Sequence, residues 1–213
     1  MNATPSRPLF HWLLWTGVLS LCVRAWIGAT FPITGDEAYF YWWGVYPDWG
    51  YYDHPPMAGW AIAAMLKLFG DSTFAMRIPA LLLPTALGAA LWWGFSPIDR
   101  EKTAWAVLLF WLTPINWLNA LITTDTPLIF WSVLSISALV RAEVRAQQDR
   151  MTYALHAFSG LCLGLAFLSK YFAVVIGLAY MVYVVAYRRE RWLGFALLVL
   201  AARSEERRVG KEC

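Results

Sequence analysis

The sequence predicts an all-α fold: a polytopic transmembrane helical bundle of about six spans plus a truncated seventh, with a long first outer loop carrying an interfacial helix. Three observations lead there. Of the 213 residues, 60% are hydrophobic and only 15% are charged, where a soluble domain carries roughly a quarter charged residues. Several apolar runs reach or approach the ~20 residues that cross a bilayer as a helix. Lys and Arg collect in every second connecting segment, which is what the positive-inside rule requires.

Residues 1–8 form a short polar start with Arg7. The first span runs from about Leu9 to Ala29, with Arg24 toward its far end, and stops at Phe31-Pro32 because proline cannot continue the hydrogen-bond ladder. It is long and lacks an A-x-A cleavage site, so it reads as a signal-anchor helix. After a loop, Pro55-Pro56 opens a helix from Met57 to Phe69, too short to cross and expected to lie at the interface. Gly70-Asp71-Ser72 breaks the chain, and Ser72 or Thr73 can cap a second span over about Phe74–Phe95.

A turn with Arg100 and Lys102 leads to a third span, about Thr103–Leu118. The polar hairpin Asn119–Thr126 bears Asp125, and the fourth span is about Pro127–Val140, which Arg141–Gln148 can extend. The apolar run Tyr153–Tyr187 is too long for one span and divides at Ser169-Lys170-Tyr171. Arg188-Arg189-Glu190-Arg191 closes the sixth span, and Trp192–Ala202 begins a seventh. Residues 203–213 are highly charged and end that run abruptly. They are expected to be a non-native tail after a family domain over 1–202, the alternative being a genuine cytoplasmic tail.

Charge fixes the expected orientation. With the N-terminus in the cytoplasm, the inner segments hold Arg7, Arg100, Lys102, Arg141, Arg145, Arg150, Arg188, Arg189 and Arg191. The outer segments hold Asp36, Glu37, Asp48, Asp53, Asp71 and Asp125 against the single base Lys67. The net charge of +3 matters less than this distribution, and nothing points to nucleic acid. Cys22, Cys162 and Cys213 form neither a disulfide framework nor a CxxC metal motif.

The stretch from Ile33 to Pro56 carries the chemistry. Asp36, Glu37, Asp48 and Asp53 share it with eight Tyr and Trp residues from Tyr39 to Tyr52, and with no Lys or Arg. Acids and flat rings at a membrane edge suit a polar ligand carried on a lipid. Carboxylates are costly to desolvate, so the Asp36–Glu37 pair at the end of a span marks either a site or a solvated cap on a following helix. A carboxylate beside an acceptor hydroxyl can act as general base. With Asp53 or Asp125 the pair can also hold a divalent ion through oxygen ligands. Asp125 before Thr-Pro is a good N-cap, and the same geometry would fix its carboxylate at the outer mouth. Lys170 interrupts an apolar run, as a snorkelling lysine or as part of a site. His54, Arg77 and Lys170 together could stabilise a phosphate leaving group. The aromatic cluster reads as an interfacial belt or as a sugar platform.

Gly-Asp-Glu-Ala-Tyr after the first span, Tyr-Tyr-Asp-His-Pro-Pro-Met, Phe-Gly-Asp-Ser then Met-Arg-Ile-Pro, Thr-Asp-Thr-Pro-Leu, and Gly-Leu-Ala-Phe-Leu-Ser-Lys-Tyr follow one another. This ordered set resembles the GT-C superfamily of membrane glycosyltransferases, and most of all bacterial members related to protein O-mannosyltransferases and lipid A aminoarabinose transferases. The resemblance covers residues 9 to about 200, the N-terminal part of a family whose members are usually over twice as long. It implies inverting transfer of a sugar from a polyprenyl-phosphate donor to a glycan, lipid or protein acceptor, on the outer face of a bacterial inner membrane. It also implies catalytic roles for Asp36, Glu37 and Asp125, a metal and donor-phosphate role for the Asp53–His54 pair and a place for Lys170; Arg77 joins His54 and Lys170 as a donor-phosphate contact on the residue reading above. Asp53 is the candidate metal ligand, and no other cofactor is implied. The family usually has Lys where this chain has His54. The rival expectation is a transporter or flippase of lipid-linked sugars, which would place charges near the midplane and broken helices in two matching halves; a non-catalytic membrane subunit is the other.

Overall fold

The computed structural model describes residues 7–209, and they fold into ten α-helices with two short 3-10 turns. Helix α1 spans Arg7–Thr30, α2 Gly35–Val45, α3 Met57–Phe69, α4 Thr73–Phe95 and α5 Arg100–Leu112. They are followed by α6 Pro114–Leu118, α7 Asp125–Val144, α8 Arg150–Phe167, α9 Val174–Tyr187 and α10 Trp192–Val209. The end of the expected tail, 210–213, lies outside the described residues, and the backbone from 203 to 209 continues α10.

The caps are those the sequence signals. Ser72 accepts the Ala75 N–H at 3.1 Å and starts α4. Gly70, at φ +85°, ends α3 with its N–H on the Leu66 carbonyl. Asp99 and Asp149 cap α5 and α8 in the same way as Ser72. The long first loop differs from expectation, because it contains α2. Thr34 and Glu37 form a reciprocal capping box, so Asp36 and Glu37 lie in the first turn of a helix. Asp125 also differs: Thr124 takes the N-cap position without a side-chain bond, and Asp125 is the first helical residue, its carboxylate turned to Lys170.

Three helices among the described residues are long and apolar enough to cross a membrane: Leu9–Thr30, Thr73–Phe95 and Asp125–Val144. A fourth span arises if Tyr171–Tyr187 and Arg189–Arg203, bent by 116°, count as one. The expected third span is broken at Thr113-Pro114, where proline has no N–H to give the ladder. The expected fifth, α8, has 18 residues but includes Arg150, Thr152, His156 and Ser159. Fewer spans than six therefore stand as single apolar helices.

Helix α4 is the centre, touching α1, α3, α5 and α7; α7 then packs on α8, and α8 on α10. Apolar contact gives helices in lipid little reason to associate, so small residues and buried hydrogen bonds do much of the joining. The Ser135 hydroxyl donates to the Ser159 carbonyl at 2.8 Å and the Ser159 hydroxyl to the Ser135 carbonyl at 2.9 Å, locking α7 to α8. At the other end of α7, Glu143 receives Arg188 Nε at 2.6 Å and the Tyr183 hydroxyl at 3.2 Å, and Arg191 donates to the Ala142 and Arg145 carbonyls. These contacts hold the bend between α9 and α10.

Gly160 lies directly against the Leu198 backbone, so a methyl there would overlap the Leu198 carbonyl. Gly160→Ala should lower stability by about 1–3 kcal/mol, as overpacking against unyielding backbone does. Gly177→Ala, whose nearest neighbour is Leu163 Cδ2 at 3.7 Å, should be close to neutral. Thermal unfolding of both variants in detergent checks the difference.

Candidate active site

Arg77 is wholly buried in the first half of α4, and each of its five N–H donors has an acceptor. Nε and Nη2 grip Glu37 side-on at 2.8 and 2.6 Å. Nη1 donates to the carbonyls of Gly28 and Phe31, and Nη2 also to that of Pro32. Those carbonyls lie at and just beyond the end of α1, where a helix leaves its last acceptors unpaired. Arg77 therefore caps α1 while it holds α2. It was expected among the donor-phosphate contacts, but no guanidinium donor is left to give.

Glu37 is equally occupied. Oε1 accepts the Ile122 N–H at 3.2 Å, and Oε2 accepts the Thr34 N–H and hydroxyl at 3.2 and 3.3 Å, besides the bonds from Arg77. Burial alone would push the Glu37 carboxyl up; the hydrogen bonds from Arg77, Thr34 and Ile122 outweigh it and hold it below the usual carboxylate range. Its neighbour Asp36 is exposed on the same turn. One carboxylate of the pair is thus a fixed structural anion, and the other faces outward.

Four segments close into a ring around this end of the bundle. Glu37 binds Ile122, three residues before Asp125. Lys170 Nζ reaches Asp125 at 2.7 Å. Leu168, two residues before Lys170, accepts the Met57 N–H at 3.0 Å, which places the Pro55-Pro56 turn beside it. Asp53, just before that turn, accepts the Tyr39 hydroxyl at 3.4 Å, returning the ring to α2. These contacts bring the segments carrying Asp53, His54, Asp125 and Lys170 to the end of the molecule that holds Glu37 and Arg77, with Asp36 next to Glu37 in the chain.

His54 Nδ1 lies 3.0 Å from Asp53 and holds that carboxyl below its usual range. The two are neighbouring groups of metal-ligand type, but among the described residues no cluster of three or more His, Cys, Asp or Glu forms. The divalent ion expected at Asp53 would thus have His54 beside it and no larger cluster of these residue types within the described residues. Behind the ring, Trp43 stacks on Tyr51 at 4.3 Å and 7°, and the Tyr51 hydroxyl donates to the Trp43 carbonyl. Phe40, Trp43, Ala58, Ile62, Met76, Ala80 and Ile122 make the apolar bed under it. Thr34 was the residue missed, although Thr-x-x-Glu is a readable capping signal. The Ile122 and Leu168 backbone contacts left no mark in the sequence.

A helical membrane bundle with a carboxylate-rich, aromatic ring at one end is the class of protein these features define. Residues 53–203 match the family described as dolichyl-phosphate-mannose-protein mannosyltransferase. That match covers well over half the chain, so the chain belongs to this family of GT-C membrane glycosyltransferases. It is also 29% identical over 139 residues to the lipid A galacturonosyltransferase RgtD of Rhizobium johnstonii, covering 64% of this chain and 28% of that protein. The chain therefore spans little more than a quarter of the length of that relative. No solved structure matches it.

Arg77→Met leaves the Glu37 carboxylate buried and unpaired, and should cost about 3–5 kcal/mol; adding Glu37→Gln should recover part of the loss in thermal unfolding. The folded Glu37 pKa is depressed, so its contribution is present at neutral pH and is lost as pH falls below the ordinary carboxylate range and through the folded value. Glu37→Gln should flatten that acid limb of the stability profile.

Proposed function

We propose that the full protein of which these residues form part is an inverting glycosyltransferase of the bacterial inner membrane, with its N-terminus in the cytoplasm. It would move a sugar from a polyprenyl-phosphate donor to an acceptor on the periplasmic or outer face. The observation that carries this reading is the division of labour within Asp36-Glu37. Glu37 is locked by Arg77 and two backbone N–H groups, and this fixes α2 so that Asp36 stands exposed next to the residue that ties α2 to the approach to Asp125.

In the reaction, Asp36 takes the proton of an acceptor hydroxyl as its oxygen bonds to the sugar's anomeric carbon. The bond from that carbon to the phosphate oxygen breaks on the opposite face, which inverts the centre. The departing lipid phosphate keeps the electron pair, and its added charge is met by Lys170 and by His54. Asp125 holds Lys170 in place before the donor arrives. Arg77 and Glu37 act through position, setting the pitch of α2. Family membership supports the class of reaction, and the name of the Rhizobium relative is compatible with a lipid-linked glycan as acceptor. The tail over 203–213 is taken as no part of this domain. A flippase would use broken helices in matching halves, whereas the described residues contain one bent pair.

Asp36→Asn in the full-length protein should abolish sugar transfer from radiolabelled polyprenyl-phosphate sugars, by at least about a hundredfold, with thermal stability unchanged. Lys170→Gln should raise the KM for donor more than it lowers kcat for a saturating acceptor. Retained turnover in Asp36→Asn would defeat the reading.

A further inference from the structure

Beside the ring, α2 turns outward an aromatic face that stays largely exposed. Tyr39, Trp42 and Tyr46 recur at helical spacing on one side, with 46, 57 and 69% of their surface exposed. Trp42 and Tyr46 are stacked on each other, 5.8 Å apart and within 8° of parallel. Asp36 is exposed one turn before Tyr39, and the Tyr39 hydroxyl is bonded to Asp53. We propose that this face is a saccharide-binding subsite that holds an acceptor glycan beside Asp36. The placement beside Asp36 rests on the glycosyltransferase reading; the binding of saccharide does not.

The chemistry favours a neutral sugar over the other occupants. A pyranose has an apolar C–H face and a rim of hydroxyls. Flat rings bury the first without needing to be hydrated themselves, and carboxylates accept from the second. The stretch from Phe31 to Leu66 contains Asp36, Glu37, Asp48 and Asp53 and no Lys or Arg. On α2 itself, Gly35–Val45, there is no Lys or Arg to meet an anionic headgroup or a nucleic acid.

The exposed surface of α9 looks different, although the span α1 also turns Trp12, Trp15 and Trp26 outward. The exposed side of α9 is aliphatic, with Val175, Leu178, Val182 and Val185 each more than half exposed. On α2 the one exposed large aliphatic residue is Val45, at 37%. The platform is also rigid. Its N-terminal end is fixed by the capping box and Arg77, and its back by Trp43 on Tyr51. The Trp42–Tyr46 stack is formed before any ligand arrives, so little side-chain freedom is lost on binding.

The test is a tryptophan-fluorescence titration of the purified chain in detergent with maltotetraose, chitotetraose and mannotetraose. A saturable change with at least one of them is expected. It should weaken by about tenfold or more in Trp42→Ala and in Tyr46→Ala, and persist in Trp42→Phe, which keeps a ring there. Trp26→Ala, which removes an exposed tryptophan of α1 (67%), should leave it unchanged. Thermal midpoints establish that each variant is folded.

No saturable change with any of the three sugars overturns the proposal, as does binding that Trp42→Ala leaves intact. Protein in lipid bilayers with brominated acyl chains gives a second, independent measurement: bromine quenching that drops in Trp42→Phe relative to the unsubstituted chain would make the face a membrane anchor, and the proposal would fall. Failure of the enzymatic reading is seen separately, as saccharide binding by a full-length protein that transfers no sugar.

Discussion

The Glu37–Arg77 pair is the constraint on which the end of the molecule around α2 depends. A buried carboxylate and a buried guanidinium are each expensive to take from water, and the pair persists only because every remaining lone pair and proton is met. Arg77 spends its spare donors on the end of α1, and Glu37 spends its spare lone pairs on Thr34 and Ile122. Four separate parts of the chain are thereby referred to one ion pair: the end of α1, the start of α2, the first half of α4 and the approach to α7. Shifting any of them leaves a buried polar group unmatched, so the geometry at the mouth of the site is sharply defined.

The remainder of the bundle uses the same device more sparingly. Ser135 and Ser159 exchange hydrogen bonds between α7 and α8, and the Tyr180 hydroxyl joins them at 3.0 Å. Arg141 donates to the Trp93 carbonyl and lies over the Trp93 ring, tying α7 to α4. Arg24 is the contrast. It is fully buried in α1 and donates to Thr85 at 2.5 Å, while its Nε and Nη1 have no partner. The two buried arginines differ because the end of α1 offers Arg77 free carbonyls, while the middle of the helix has already used those around Arg24 in its own ladder.

Function follows from the asymmetry this produces. Adjacent carboxylates in one helical turn have opposite fates: Glu37 is structural and inaccessible, and Asp36 is exposed at the ring formed with Asp125, Lys170 and His54. Under the proposed reading, an acid held in place by a neighbour that cannot move is the arrangement a general base needs. Under the same proposal, the aromatic face of α2 extends the ring sideways, where an acceptor presenting its hydroxyl to Asp36 would rest.

Much of this was legible in the sequence. The apolar runs, Pro55-Pro56, Gly70-Asp71-Ser72 and the break at Ser169-Lys170-Tyr171 located the helices, since each is a local signal. The ordered motifs gave the family and named the residues that the ring later collected. The helix from Gly35 to Val45 was passed over because its eleven residues are crowded with aromatics rather than patterned, although Thr-x-x-Glu marked its start. The division of the third span at Thr113-Pro114 was missed because an apolar count does not register a single missing N–H.

What the sequence determined alone was the medium, the helical class and the family, because each depends on composition, short-range pattern or ordered motifs. What only the tertiary structure decided was the employment of the charges. That Arg77 serves α1 and Glu37 rather than a phosphate, and that Asp125 meets Lys170 rather than its own helix end, depends on partners 40 to 49 and 45 residues away. Hydrogen-bonding capacity is spent on whatever the fold brings within 3 Å, and no local pattern records that distance.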